Sequence, residues 1–386
     1  MPDNDRLLPF TCHVPEADLD DLRRRLLATR WPDKETVGDW SQGVPLAAMR
    51  ALVEHWTHGY DWRRFERRLN AVPQLTTVVD GQTVHLLHVR SPHSGATPLV
   101  LTHGWPGSVG EFLDVLGPLT DPTRHGGSVE DAFHVVAPSP PGYGFSSRPS
   151  GTGWGIERIA GAWAEVMTRL GYERFGASGG DWGTSISTML GLRHPDRVIG
   201  LHLTPPLVAP DPATFDDLTP RERESLDRFA EISRTASAYG QMHATRPQTL
   251  GYGLTDSPVG LAAWIFEKVV AWTDWERDVF DVVDRDRVLD TITLYWLTGT
   301  AASSARLYWE SLATVEAWFT TTAPPVHVPT AASVFRDFPR PSRRWAERRF
   351  TDLRYWSEPP RGGHFPALEQ PALFVDEARA AFRALR

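Results

Sequence analysis

Cysteine and lysine are nearly absent from the 386-residue chain, which has one of the first (Cys12) and two of the second (Lys34 and Lys268). A lone cysteine cannot form an intramolecular disulfide, which excludes the stapled scaffolds of small secreted proteins. No run approaches the roughly eighteen consecutive apolar residues that a membrane-crossing helix needs. The start, Met1-Pro2-Asp3-Asn4-Asp5-Arg6, has neither the basic n-region nor the apolar h-region of a signal peptide. A cytoplasmic protein without a membrane anchor is the expectation. Positive charge is also short. Lysine and arginine number 40 against 48 acidic residues, and no basic cluster is dense enough to grip a phosphate backbone, so nucleic acid is not an expected partner. No G-x-G-x-x-G opens a helix and no Walker sequence occurs, which leaves nucleotide binding without support. No His/Cys/Glu cluster has metal-ligand spacing. Neither a metal nor an organic cofactor is expected.

What is present is hydrophobic and aromatic residue enough for a sizeable core, in a chain long enough for two domains or one large α/β domain with insertions. The first 70 or so residues read as helical, with an entry at Pro15-Glu16-Ala17-Asp18 and one apolar face in Leu19, Leu22 and Leu26. Alternation then marks Leu75 to Val79 and Thr83 to Val89 as strands of a hairpin turning at Asp80-Gly81. Short buried-strand runs follow at Pro98–Thr102, Ala132–Ala137, Phe175–Ser178, Val198–Thr204, Val326–Val334 and Phe350–Trp356, with helical patterns at Ile156–Leu170 and Trp182–Leu192. Strands alternating with helices predict a mostly parallel sheet with helices on both faces. The stretch 208–322 has helical patterns and no convincing strand. The expected organisation is thus 1–95 as a helical meander with the first hairpin, 96–207 and 323–386 as the α/β core, and 208–322 as a helical insertion. Most aromatics of that insertion (Trp264, Phe266, Trp272, Trp275, Trp296, Trp309) read as packing residues, with a minority lining a pocket.

Gly179-Gly180-Asp181-Trp182-Gly183 lies where a strand meets a helix, the place and shape of a nucleophile elbow. An aspartate at its centre suits displacement at saturated carbon, because a carboxylate forms an ester with the carbon it attacks. Asp181 could equally be a helix N-cap on this pentapeptide alone. His103-Gly104-Trp105-Pro106 follows the strand ending at Thr102 and would supply one oxyanion-hole N–H, from Trp105, the other coming from Trp182. Pro141 to Ser146 reads as a structural turn beside the site. A general base should follow the last strand, where Gly362-Gly363-His364-Phe365 stands, and Asp337 is the best-placed acid to orient His364, with Asp352 a rival. The order nucleophile, acid, histidine is that of the α/β-hydrolase triad.

Taken together, His103 to Pro106, Gly179 to Gly183, Asp256-Ser257-Pro258-Val259-Gly260-Leu261-Ala262-Ala263, Arg361 to Phe365, and the pairs Trp62-Arg63 and Val84-His85 make the chain resemble the microsomal-type epoxide hydrolase family. That resemblance implies an N-terminal meander, an α/β-hydrolase core with a helical cap, no cofactor, and a small apolar or aromatic epoxide as substrate. It also implies two cap tyrosines that protonate the epoxide oxygen. One maps to Tyr308 in Ser303-Ser304-Ala305-Arg306-Leu307-Tyr308 and the other to Tyr239, counted back from Thr245-Arg246-Pro247, with Tyr252 and Tyr295 as alternatives. The chain departs from many relatives in offering aspartate, not glutamate, as the triad acid, and in lacking the apolar anchor of membrane-bound members. It is similar instead to soluble bacterial members, some of which serve natural-product pathways of the enediyne type. A homo-oligomer is allowed by the sequence and not readable from it. The implied reaction converts an epoxide and water to a vicinal diol through an ester on Asp181. The alternatives are a haloalkane-type dehalogenase with the same nucleophile and a catalytically silent ligand-binding α/β-hydrolase.

Overall fold

The structure is a computed structural model that describes residues 6–320, 322–336 and 339–386. Nine strands form one sheet: β1 (Leu8–Pro9), β2 (Gln74–Val79), β3 (Gln82–Val89), β4 (Thr97–Thr102), β5 (Phe133–Pro138), β6 (Phe175–Gly180), β7 (Val198–Thr204), β8 (Thr330–Ser333) and β9 (Leu353–Ser357). Their order is β1-β2-β3-β5-β4-β6-β7-β8-β9. The first four in that order pair antiparallel, and every pairing from β5-β4 to β8-β9 is parallel. Asp80 and Gly81 both take positive φ, 56° and 77°, the two-residue turn that matches the right-handed twist of a hairpin.

Strand residues alternate between two cores, one on each face of the sheet. Leu99 and Leu101 of β4 join the same cluster as Val135 and Ala137 of β5, whereas Val100 and Val136 join the cluster on the other side. The first face is closed by the helix Pro371–Leu385 through Phe374, Ala378 and Phe382, and the second by Ile156–Arg169 and Trp182–Arg193. Burial on both faces explains why the parallel strands read as short apolar runs.

Chain order reverses at β4, which lies between β5 and β6. Neighbouring strands whose connections leave to opposite sides open a crevice at their carboxyl ends, where α/β sheets bind ligands. Thr102 pairs with Gly179 across that point, so the loop beginning at His103 and the turn at Asp181 emerge side by side.

Between β7 and β8 the described residues contain no strand. The helices there are Pro220–Thr235, Ala238–Thr245, Pro247–Asp256, Pro258–Trp272, Arg285–Thr298 and Ala301–Ala317. The N-terminal helices Glu16–Leu27, Leu46–His58 and Trp62–Asn70 brace this insertion: Trp56 Nε1 donates to Thr293 Oγ1 at 2.9 Å, and Arg64 and Tyr60 both donate to Asp290, at 2.7 and 2.9 Å. No helix among the described residues is long and apolar enough to cross a membrane.

Three sequence expectations need correction. The first 70 residues are not all helix, since residues 28–45 are irregular and β1 adds an edge strand to β2. The strand expected over 326–334 is confined to Thr330–Ser333, with Val326 making only an isolated bridge to Phe350, because Pro324, Pro325 and Pro329 remove ladder donors. The final strand, expected from Phe350, begins at Leu353 and so leaves Asp352 outside it, although Asp352 does point elsewhere than the site, pairing with Arg354 at the surface at 2.9 and 3.0 Å.

Helix and sheet approach most closely at Gly183, where an added Cβ would lie 1.9 Å from the Thr102 carbonyl oxygen. Backbone on both sides leaves nothing to yield. Gly183→Ala should therefore lower the unfolding free energy by about 3 kcal/mol. Gly253→Ala, in a helix with nothing within 4 Å of the new Cβ, should raise it by about 0.5–1 kcal/mol, both read by urea denaturation.

Candidate active site

β6 ends at Gly180 and the helix Trp182–Arg193 starts one residue later, which forces Asp181 to φ 53° and ψ −125°. A non-glycine residue there is strained, and such strain persists only where the surroundings over-determine it. The Asp181 side chain makes no capping hydrogen bond to its helix. Its Oδ1 instead accepts the Trp105 N–H at 2.9 Å. Gly104 makes that approach possible, since a Cβ there would stand 2.1 Å from Asp181 Oδ1. The N-cap alternative is thus not realised. Trp182 opens the helix, and its N–H belongs to the first turn, whose donors have no intrahelical acceptor. His103 is buried with Nδ1 2.9 Å from the Gly104 carbonyl, and burial pulls it down to about 4, so it is neutral.

His364 brings Nε2 to 3.4 Å from Asp181 Oδ2. Its loop is held mainly through the backbone. The His364 N–H donates to the Trp272 carbonyl at 2.9 Å, and Gly362 N–H to Asp274 Oδ2 at 3.0 Å. Glu369 collects three more N–H groups, from Gly363 (2.7 Å), Phe365 (2.8 Å) and Asp274 (2.9 Å). Burial raises the Glu369 carboxyl, with those three donors pulling the other way. Because Trp272 ends an insertion helix and Asp274 lies two residues beyond it, the histidine loop is tied to the insertion as well as to the core. Asp337, the expected orienting acid, lies outside the described residues.

Above Asp181 lies a cavity of about 330 Å³ whose polar residues include Asp181, His364, Tyr239 and Tyr308. Its remaining wall is largely apolar, built from prolines of the 205–210 and 339–341 segments with Leu226, Phe229, Leu312 and Phe319. The Tyr239 and Tyr308 rings stand 6.0 Å apart, Tyr239 stacked on Trp105 at 5.4 Å and Tyr308 edge-on to Trp182 at 4.8 Å. Burial, then the neighbouring Tyr239 and Asp181, pushes the Tyr308 phenol well above its ordinary value. The alternatives lie elsewhere: Tyr252 is 71% exposed, and Tyr295 donates to the Gly107 carbonyl at 2.9 Å. None of the six aromatics singled out in the insertion lines this cavity. Trp272 comes nearest in function, with its ring 4.6 Å from that of His364.

Three residues of this region carry no motif in the sequence. His243 is fully buried against Trp105 and Tyr308, accepts from Trp264 Nε1 at 2.9 Å, and is pulled by burial down to about 3. Lys268 is buried with Nζ 4.4 Å from the centre of the Tyr239 ring and 2.7 Å from Glu267, a cation placed against an aromatic face. Glu111 sits below the Trp105 loop. Only the rarity of lysine could have drawn attention to Lys268.

Among known families, residues 7–112 match the epoxide hydrolase N terminus and residues 97–235 the α/β hydrolase fold. A protein of Stigmatella aurantiaca provisionally designated an epoxide hydrolase is 52% identical over 98% of this chain and 86% of its own length. Epoxide hydrolase 1 of Sus scrofa is 35% identical over 98% of this chain and 88% of its own. The solved structure of Aspergillus niger epoxide hydrolase superposes with a TM-score of 0.88 at 30% identity, covering 99% of this chain and 97% of that one. On its likeness along nearly its whole length to these proteins, and on the fold they share, the chain belongs to the epoxide hydrolase family of α/β-hydrolases.

Proposed function

We propose that this epoxide hydrolase works through a covalent ester on Asp181, with His364 as the base that activates water and Tyr239 and Tyr308 as the donors to the epoxide oxygen. The observation that carries this is the Asp181 carboxylate itself: one oxygen is held by the Trp105 N–H and the other faces His364, at the floor of a cavity that also presents both tyrosines. Oδ1, already hydrogen-bonded, is the oxygen that becomes the ester carbonyl. Oδ2 is the nucleophile. It attacks an epoxide carbon, the C–O bond breaks, and the leaving oxygen takes its proton from a tyrosine. His364 then takes a proton from water, whose oxygen attacks Cγ of Asp181. The negative charge on Oδ1 is met by the N–H groups of Trp105 and Trp182. Collapse expels the diol, whose leaving oxygen takes the proton held by His364, and the remaining water proton restores the tyrosine. In this reading Asp337 orients His364, the helices of 208–322 act as a cap, and the apolar wall selects apolar or aromatic epoxides.

The two half-reactions should separate on mutation. In His364→Ala, an aryl epoxide such as styrene oxide should leave an adduct of its own mass on the protein, which peptide mapping should assign to Asp181. A single turnover of the wild type in labelled water should give mostly unlabelled diol and put the label into the Asp181 carboxylate. Label in the diol on the first turnover, with no adduct in the variant, would show that water opens the ring directly.

Tyr308→Phe should slow ring opening by about 10–100-fold while changing the affinity for an unreactive diol much less, because a hydrogen bond to the oxygen strengthens as charge grows on it. Equal losses in pre-steady-state alkylation rate and diol affinity would reduce Tyr308 to a binding residue.

A further inference from the structure

A second cavity, of about 30 Å³, lies on the other side of the Asp181 carboxylate, lined by Gly104, Trp105, Glu111, Asp181 and His364 among others. Among the described residues only Asp181 and His364 line both cavities, so they form the partition between them. The small one has room for a water molecule or two. While the ester exists, the alcohol portion of the substrate occupies the large cavity beside Asp181, and a nucleophile for Cγ has to come from elsewhere. The small cavity borders both the carboxylate and the base that would activate the water.

Glu111 supplies a second carboxyl group to that cavity, beside that of Asp181. It belongs to the single turn Val109–Phe112, which Ser108 caps by accepting the Gly110 N–H, and so it is carried on the same loop as Trp105. Its side chain makes no hydrogen bond to any described residue, and its Oε2 lies against Gly107, where an added Cβ would stand 2.9 Å away. A half-buried carboxyl that the protein leaves without a partner is satisfied by water. The groups facing it are Asp181, His364 and the phenol of Tyr295. Burial pushes the Glu111 carboxyl up to about 8, with His364 acting to lower it and Asp181 to raise it, which favours its neutral form at physiological pH.

Resting on the Asp181 ester mechanism, we propose that Glu111 holds the hydrolytic water. Its carbonyl oxygen accepts one hydrogen of the water in the small cavity, which turns the other hydrogen toward His364 Nε2 and the oxygen lone pair toward Cγ of Asp181. In the step itself one water proton passes to His364, the water oxygen bonds to Cγ, and the bond from Cγ to the substrate oxygen breaks as that oxygen takes the proton from His364; the second water proton restores the tyrosine that ring opening deprotonated, and Asp181 is left as a carboxylate. Glu111 neither gains nor loses a proton. Its contribution falls on ester hydrolysis and not on ring opening.

The test follows adduct formation and decay with styrene oxide by rapid quench and intact-protein mass. Glu111→Leu, which removes the acceptor, should form the adduct within about twofold of the wild-type rate and hydrolyse it about tenfold more slowly or worse, so that adduct accumulates in the steady state. Glu111→Gln keeps a neutral carbonyl of the same shape and should hydrolyse within about threefold of wild type. If Glu111→Leu does not fold, judged by circular dichroism, Glu111→Met takes its place. Hydrolysis at the wild-type rate in the apolar variant, equal slowing of both half-reactions, or Glu111→Gln as slow as Glu111→Leu would each overturn the proposal. Absence of any adduct in His364→Ala would instead defeat the ester mechanism beneath it, which keeps the two failures apart.

Discussion

Asp181 is held at φ 53° and ψ −125°, a conformation costing on the order of 1–3 kcal/mol for a residue with a side chain. That strain fixes the geometry of everything around it. The helix Trp182–Arg193 packs against β4 so tightly that only glycine fits at 183, and the loop after Thr102 passes so close that only glycine fits at 104. The same crowding that prevents relaxation lifts the carboxylate off its own helix and delivers it to the Trp105 N–H. A capping aspartate would have turned its side chain back on the helix start. This one is turned outward, and the packing of a nine-stranded sheet offsets the cost.

Around that carboxylate, burial sorts the titratable groups. His103 and His243 are neutral because desolvation dominates, outweighing the Gly104 carbonyl and Asp181 at His103, so they add no positive charge beside Asp181 while His103 donates to the Gly104 carbonyl and His243 accepts from Trp264. Tyr308 stays protonated for the same reason, with Tyr239 and Asp181 nearby. The histidine proposed as the base, His364, is the one held by a clamp of backbone donors on Glu369 and by the Trp272 carbonyl. Since Trp272 ends an insertion helix, displacement of the insertion would disturb the His364 loop as well as the tyrosines. One element therefore positions both tyrosines and steadies the His364 loop, the groups proposed as proton donors and base.

The parts legible in the sequence were those written in local periodicity or in glycine spacing. The hairpin at Asp80-Gly81, the parallel strands and the elbow are of this kind, because buried strands need apolar runs and a sharp turn needs small residues. Tyr239 and Tyr308 came from resemblance, and both face the same cavity as Asp181. Prolines shortened β8 where hydrophobicity alone predicted a longer strand. Of the six insertion aromatics most pack as read, although Trp309 is 52% exposed, but the minority expected to line the cavity does not: Phe229 and Phe319 line it instead. Glu111 and Lys268 were invisible, since what distinguishes them is burial beside residues distant in sequence.

The choice between an epoxide and a halide as leaving group turns on what the cavity offers the departing atom. A halide leaves as a stable anion and needs hydrogen-bond donors, which ring N–H groups can supply. An epoxide oxygen leaves as an alkoxide and needs a proton. A phenol kept well above its ordinary range, as Tyr308 is, remains protonated across the working pH range, so the donor still carries its proton when the ring opens. Two phenols are more than halide release requires, and a pair sharing one small space can divide the task, one giving the proton while the other stabilises the phenolate left behind. The proposed epoxide chemistry gives both phenols work, and halide release would leave their acidity unused.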